Sequence, residues 1–263
     1  MHQTRRNFLK FAGLSAAVLS TGLGGKALAA GGGAASGGHP KVNADAAHAQ
    51  RWAMVVDTRK LNTEEAIAKL AQACHKIHNV PHIDSKPKQE IKWLWAGEWE
   101  EAFPTQPNDH LAEDVEERSI ALLCNHCEEP PCVRVCPTKA TYKRPDGIVA
   151  MDYHRCIGCR YCMAGCPYGA RSFNFMDPRL GLDMKKLNNE FPTRMRGVVE
   201  KCNFCVERLA VGQQPKCVEE SGGALVFGDM NDPKSPVRKV LKEHFSIRRN
   251  PSAGTSPSVY YII

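Results

Sequence analysis

The stretch CNHCEEPPCVRVCP at residues 124–137, followed by CIGCRYCMAGCP at residues 156–167, decides the fold. The first run supplies Cys124, Cys127, Cys132 and Cys136. The second supplies Cys156, Cys159, Cys162 and Cys166 in the order C-x2-C-x2-C-x3-C-P. That is the spacing of iron–sulfur ligands, in which three thiolates of a motif hold one cube and the fourth ligates its neighbour. Further on, CNFCVERLAVGQQPKC at residues 202–217 offers Cys202, Cys205 and Cys217 and stops one ligand short. Of the chain's 12 cysteines only Cys74 is left to complete it.

Applied to the whole chain, cross-ligation gives one cube Cys124, Cys127, Cys132 and Cys166, and the next Cys156, Cys159, Cys162 and Cys136. A third takes Cys202, Cys205, Cys217 and Cys74. Three [4Fe-4S] clusters use every cysteine and leave no disulfide and no free thiol. Structural zinc also uses C-x2-C pairs, but it needs four ligands and has no use for a third cysteine followed by Cys-Pro. A disulfide framework is the alternative for an exported chain with an even cysteine count. Such a framework spreads its cysteines, whereas eight here crowd between Cys124 and Cys166.

Residues 1–30 carry Arg5 and Arg6 ahead of Phe8, Leu9 and Lys10, then an apolar run from Phe11 to Leu23 and an Ala27-Leu28-Ala29 cleavage box. This is the pattern of a twin-arginine signal, and it predicts a periplasmic protein. Gly22, Gly24, Gly25 and Lys26 break the run, which argues against an uncleaved anchor helix. Beyond it no apolar stretch reaches the roughly 20 residues of a spanning helix, so membrane association is expected through partners only. Clusters assembled in a reducing compartment suit a route for proteins exported already folded.

The formal charge of +7 includes four basic residues and no acid within residues 1–30, leaving +3 for the remainder. Cluster thiolates add negative charge, so Arg134, Lys139, Arg155, Arg160, Arg171, Lys201 and Arg208 read as compensation for it rather than as a nucleic-acid surface.

Residues 31–50 are Gly/Ala-rich and read as a flexible linker. In RWAMVVDTRK, Trp52, Met54 and Val56 alternate as in a half-buried strand. A helix follows, with Asn62 and Glu65 at capping-box spacing and Ile67, Leu70, Cys74 and Ile77 on one face until Pro81. IKWLW puts Ile91, Trp93 and Trp95 on one side of a strand. Its tryptophans read as packing, with a docking surface as the alternative.

ATYKRPDGIVAMD reads as a hairpin turning at Pro145-Asp146-Gly147. GALVFGD and SVYYII read as strands and VRKVLKEHF as a helix. The class is α+β, with bacterial-ferredoxin-like modules of small hairpins and short helices wrapped around clusters. An inner two-cluster module spans residues 122–176, and an outer one combines 51–121 with 177–263 and a C-terminal extension.

Together the motifs resemble the four-cluster ferredoxin subunits of membrane-associated respiratory oxidoreductases. RWAMVVDTRK, ACHKIHNVP, IKWLW and HRCIGCRYCMAGCPYGARSFNF look most like the DsrO subunits of DsrMKJOP complexes in sulfate reducers and sulfur oxidisers. The family pattern has sixteen cysteines. Here the expected N-terminal slots hold Leu61, Ile67 and Leu70, and the last slot holds Ser221, or Glu220 with a one-residue shortening. Under cross-ligation these four slots belong to a single cube, so one site is lost as a unit. The three apolar replacements are expected to lie with Cys74 along one helix face.

The resemblance implies a one-electron relay in a complex linked to sulfur-compound metabolism. Its expected partners are an integral membrane quinone-interacting subunit and a multihaem cytochrome c or other redox subunit. The rival is the electron-delivering beta subunit of a molybdopterin oxidoreductase of the polysulfide or dimethyl sulfoxide reductase type. An enzyme with its own substrate site finds no support, since G-x-S-x-G, P-loop and G-x-G-x-x-G units are missing. His75, His78 and His82 read as solvent-facing or hydrogen-bonded, with metal or haem ligation as the alternative.

Overall fold

The computed structural model describes residues 43–83 and 89–263. The twin-arginine signal and the linker up to residue 42 lie outside the described residues. From residue 43 the chain is laid on the fold. The Ala47 N–H donates to the Leu209 carbonyl at 2.8 Å, and those of Gln50 and Arg51 donate to the Asp229 carboxylate at 2.8 and 3.0 Å.

Short strands alternate with single helical turns. In chain order the strands are β1 (Trp52–Asp57), β2 (Leu94–Gly97), β3 (Ile120–Leu123), β4 (Thr141–Lys143) and β5 (Val149–Met151). They continue with β6 (Ser172–Phe173), β7 (Val199–Glu200), β8 (Leu225–Asp229), β9 (Ser246–Ile247) and β10 (Val259–Ile262). One four-stranded sheet runs β8-β1-β10-β9, with β1 antiparallel to β8 and parallel to β10. The remaining strands form the two-stranded pairs β2-β3, β4-β5 and β6-β7. As the ferredoxin pattern predicts, β4 and β5 make a hairpin, with Gly147 at φ 83° in its turn.

Trp52, Met54 and Val56 face the main core as their alternation predicts, yet all six residues of β1 are buried rather than half of them. The helix Pro236–Glu243 covers the opposite face. It packs Val237, Val240 and Leu241 against Ala53, Val55 and Ile262. Period-two alternation marks only one apolar face, and the covering element comes from near the other end of the sequence.

The long helix spans Glu64–Ile77. Thr63 caps it, its hydroxyl accepting the Ala66 N–H at 3.3 Å, with Glu64 and Glu65 at the positive end of the helix dipole. The Asn62–Glu65 box is thereby displaced by one residue. Ile67, Leu70 and Cys74 are buried on one face, while Ile77 is half-buried. This face packs on β2 and on the turn Lys216–Glu220. In IKWLW the strand begins only at Leu94, so Ile91 and Trp93 precede it, both about 1% exposed. Trp93 turns inward because its indole N–H reaches Glu200 Oε2 at 3.1 Å.

Glu200 anchors a dry polar network. Arg194 Nη2 meets its Oε2 at 2.6 Å, Asn174 Nδ2 meets its Oε1 at 2.6 Å, and both ion-pair side chains are fully buried. Arg194 also donates to the carbonyls of Pro192, His78 and Asn79. The pair thus ties β7 to the C-terminal end of the long helix. Removing one partner of such a pair strands a buried charge, at a cost of about 3–5 kcal/mol. Arg194→Met should lower unfolding stability by that amount in anaerobic chemical denaturation, and a loss under about 1 kcal/mol would show Glu200 to be solvated or protonated.

Candidate metal centres

One loop conformation occurs three times. In CNHC, CIGC and CNFC the residue before the second cysteine is left-handed: His126 at φ 40°, Gly158 at φ 72° and Phe204 at φ 55°. In CNFC the turn brings a backbone N–H toward sulfur. The Phe204 N–H lies 3.5 Å from Cys202 Sγ. His126 and Phe204 carry side chains at this glycine-favouring position and stack on each other, ring centroids 3.7 Å apart. Lys139 and Gly169, each three residues after the last cysteine of its motif, are also left-handed, at φ 56° and 62°.

The structure brings the cysteines together in three groups. One pocket is lined by Cys136, Cys156, Cys159 and Cys162. A second is lined by Cys124, Cys127, Cys132 and Cys166. Cys74 sits fully enclosed beside Cys205, Cys202 and Cys217. The Cys124 group is central, since Cys124 acts on Cys202 on one side and Cys132 on Cys162 on the other.

The charge balance of these groups fits an iron–sulfur cube. Burial, with neighbouring Cys205, Cys202 and Cys217, pushes the Cys74 thiol well above its ordinary range. Cys127 rises to about 12 through burial and Cys124, against the hydrogen bond of the Thr255 hydroxyl. A bound cation reverses this cost, because a coordinated thiol gives up its proton outright. At the more open Cys136, burial is outweighed by hydrogen bonds from the Thr141, Thr138 and Ala140 backbone and the Thr138 hydroxyl, and the thiol is lowered.

Two of the buried cations, Arg171 and Lys201, lie beside the cysteine groups. Arg171 is 5% exposed among Cys132, Cys162, Cys124 and Cys166, with Nη2 lacking a protein partner. Lys201, 1% exposed, donates to the carbonyls of Val149 and of Cys202, the latter at 2.8 Å. An orphaned guanidinium nitrogen among thiols is the environment an anionic cube would complete. Arg134, Lys139, Arg155 and Arg160 are surface residues, and Arg208 pairs with Glu219 at 2.6 Å.

The histidines divide. His75 accepts the Trp93 N–H at 3.4 Å, and burial, then His78, His82 and Arg194, depress it to about 4. His82 is exposed. His78 is fully buried, its Nδ1 2.8 Å from the Cys74 carbonyl and 3.6 Å from Cys74 Sγ, its Nε2 2.7 Å from Glu207 Oε1. Its ligand atom and those of Cys205 and Glu207 lie within 4.8 Å of one another. Helical spacing from Cys74 to His78 signals this contact in the sequence, whereas Glu207, 129 residues away, gives no such signal.

The residues at the four positions that the resemblance assigns to a lost cube each have partners. Leu61, Ile67 and Leu70 are all buried in the main core, with Leu225 and Phe227. Only Ile67 and Leu70 share the face of Cys74. Leu61 precedes the helix in a turn, its N–H donating to the Asp57 carbonyl at 3.0 Å, so the expectation of one face for all three is corrected. Ser221 donates to the Val218 carbonyl at 2.8 Å and accepts the Leu225 N–H at 3.0 Å, while Glu220 pairs with Lys216 at 2.6 Å.

Short hairpins, left-handed Cys loops and grouped thiols define a 4Fe-4S ferredoxin of the α+β class, and residues 116–178 match the 4Fe-4S dicluster domain family. The chain is 45% identical over 234 residues to the Hdr-like menaquinol oxidoreductase iron-sulfur subunit 1 of Archaeoglobus fulgidus, covering 81% of this chain and 83% of that one. It is 36% identical over 237 residues to the menaquinone reductase iron-sulfur cluster-binding subunit of Nitratidesulfovibrio vulgaris, covering 81% and 88%. To the B polypeptide of Wolinella succinogenes polysulfide reductase it is 43% identical over 141 residues, covering 53% and 64%. The chain belongs to the four-cluster ferredoxin subunits of respiratory oxidoreductases, and is an electron-transfer subunit that binds [4Fe-4S] clusters. Among the described residues no helix is long and apolar enough to cross a membrane.

Two glycines give a matched test. An added Cβ at Gly158 would stand 2.5 Å from the Gly197 carbonyl oxygen, whereas at Gly169 nothing lies within 4 Å. Gly169→Ala should cost only the left-handed backbone term, about 1–2 kcal/mol. Gly158→Ala should cost more and lower the iron retained after anaerobic purification. Equal losses of stability and iron in the two variants would contradict this geometry.

Proposed function

We propose that this chain is a periplasmic subunit relaying electrons through three [4Fe-4S] clusters in a membrane-associated respiratory complex linked to sulfur-compound metabolism, as in DsrO. The clusters, when bound, would supply one-electron redox chemistry. The proposed ligand sets are Cys124, Cys127, Cys132, Cys166; Cys156, Cys159, Cys162, Cys136; and Cys202, Cys205, Cys217, Cys74. The observation carrying this reading is that Cys74 lies among Cys202, Cys205 and Cys217, although the whole two-cluster region from Cys124 to Cys166 separates them in sequence.

In this reading the protein's own groups hold and tune. Arg171 and Lys201 offset the negative charge of the two adjoining sites, and His78 positions Cys74. The chain has no substrate site of its own in this proposal. Proposed partners are an integral membrane quinone-interacting subunit and a multihaem cytochrome c or other redox subunit. The quinone partner draws support from relatives named for menaquinol and menaquinone. Export by the twin-arginine route agrees with Arg5 and Arg6.

The match to the polysulfide reductase polypeptide favours a second reading, the beta subunit of a molybdopterin oxidoreductase. Leu61, Ile67 and Leu70 weigh against it. They fill the slots of the cube that would face a catalytic subunit, and an electron relay slows steeply across a widened gap.

Cys74→Ser separates the ligand sets. Electron paramagnetic resonance of the anaerobically reduced variant should show loss or conversion of one cubane signal, with the two assigned to Cys124 through Cys166 retained. Three unchanged signals in the folded variant would refute the assignment of Cys74.

A further inference from the structure

Two cysteines of the outer group are joined by a file of polar side chains. His78 caps the long helix one turn after Cys74, with its ring Nδ1 2.8 Å from the Cys74 carbonyl oxygen and 3.6 Å from Cys74 Sγ. Its Nε2 meets Glu207 Oε1 at 2.7 Å, and Glu207 Oε2 accepts the Asn203 amide N–H at 3.0 Å. Asn203 Oδ1 in turn accepts the Cys205 backbone N–H at 2.8 Å. The file thus runs from the sulfur of Cys74 to the backbone of Cys205, and its His78–Glu207 link spans 129 residues of sequence.

The ring is fixed by its neighbours. Trp93 stacks on it with centroids 4.5 Å apart and 29° between the planes, and Phe191 meets it edge-on at 4.8 Å. Trp93 is itself tied to Glu200 through its indole N–H. His78 is 1% exposed. A carbonyl oxygen only accepts, so the 2.8 Å contact with Cys74 puts a proton on Nδ1. That same N–H lies within hydrogen-bonding reach of the Cys74 sulfur. With Nδ1 protonated and Nε2 engaged by Glu207, neither ring nitrogen is open to a metal, so the grouping of His78, Cys205 and Glu207 reads as a donor arrangement rather than a further ion site.

We propose that His78 is a positioning residue whose Nδ1–H bonds to the Cys74 sulfur and raises the reduction potential of the cluster held by Cys74, Cys202, Cys205 and Cys217. This rests on the ligand assignment made under the proposed function. One electron enters the cube and its thiolates while no bond forms or breaks, so reduction adds one negative charge. A donor aimed at sulfur stabilises that charge and favours the reduced state. Glu207 and Asn203 fix the aim of the ring and tie it to the second loop of the same site.

The test is anaerobic potentiometry with electron paramagnetic resonance on the full-length, cluster-loaded protein, the outer signal being the one lost or converted in Cys74→Ser. Glutamine places its amide near Nε2 and keeps the Glu207 contact without an N–H on Cys74, whereas asparagine places its amide near Nδ1 and keeps that N–H. His78→Gln should lower the potential of the Cys74-dependent signal by about tenfold in the ratio of reduced to oxidised form, about 59 mV for a one-electron couple, and leave the other signals in place. His78→Asn should stay at the wild-type value. A wild-type potential in His78→Gln, an equal shift of every signal, or the same lowering in His78→Asn overturns the proposal. Should His78→Gln fail to load clusters, the wild-type protein decides. With isotopically labelled histidine, pulsed electron paramagnetic resonance should find a histidine nitrogen coupled to the Cys74-dependent signal, and its absence overturns the proposal equally. A folded Cys74→Ser variant that keeps every cubane signal would instead sink the ligand assignment.

Discussion

Burying several thiols in one place is unfavourable until a cation binds them, and this constraint shapes the chain's path. Cys74, Cys202, Cys205 and Cys217 are all buried, and burial raises each thiol. Without iron they would be protonated groups crowded in a dry interior. In the proposed assignment they would become ligands, and metal binding would contribute to folding free energy. The small sheets and single helical turns follow from this, since each need only deliver a cysteine or wall off its surroundings.

Charge is distributed accordingly. Of the seven basic residues that the sequence offers as charge compensation, Arg171 and Lys201 are buried, and both lie beside cysteine groups. The Arg194–Glu200 pair does a different job at the outer module, fixing the residues that follow the long helix. Ile67 and Leu70 hold the long helix on the main core by apolar packing.

Ligand spacing was legible because it is local. The three Cys loops, the β4-β5 hairpin and the stop of the long helix before Pro81 all depend on near neighbours in the sequence. The buried outer face of β1 was not, since its cover, the helix around Val237, comes from the other end of the chain. Nor was the cap at Thr63, where two hydroxyl or amide side chains competed for one helix start. Glu207 reaches His78 beside Cys74 only through tertiary folding, a pairing across 129 residues that motif spacing could not single out. Leu61 shows the limit from the other side. Family spacing aligns it with a ligand, yet it sits in the turn before the helix and packs as an ordinary core residue.

Iron and acid-labile sulfide per chain test the central claim most directly. Anaerobically prepared protein with spin-quantified signals should contain about 12 of each, three cubes of four. A reproducible content of about 16 would mean that the cube assigned as lost is present, and about 8 would mean that Cys74, Cys202, Cys205 and Cys217 do not hold one.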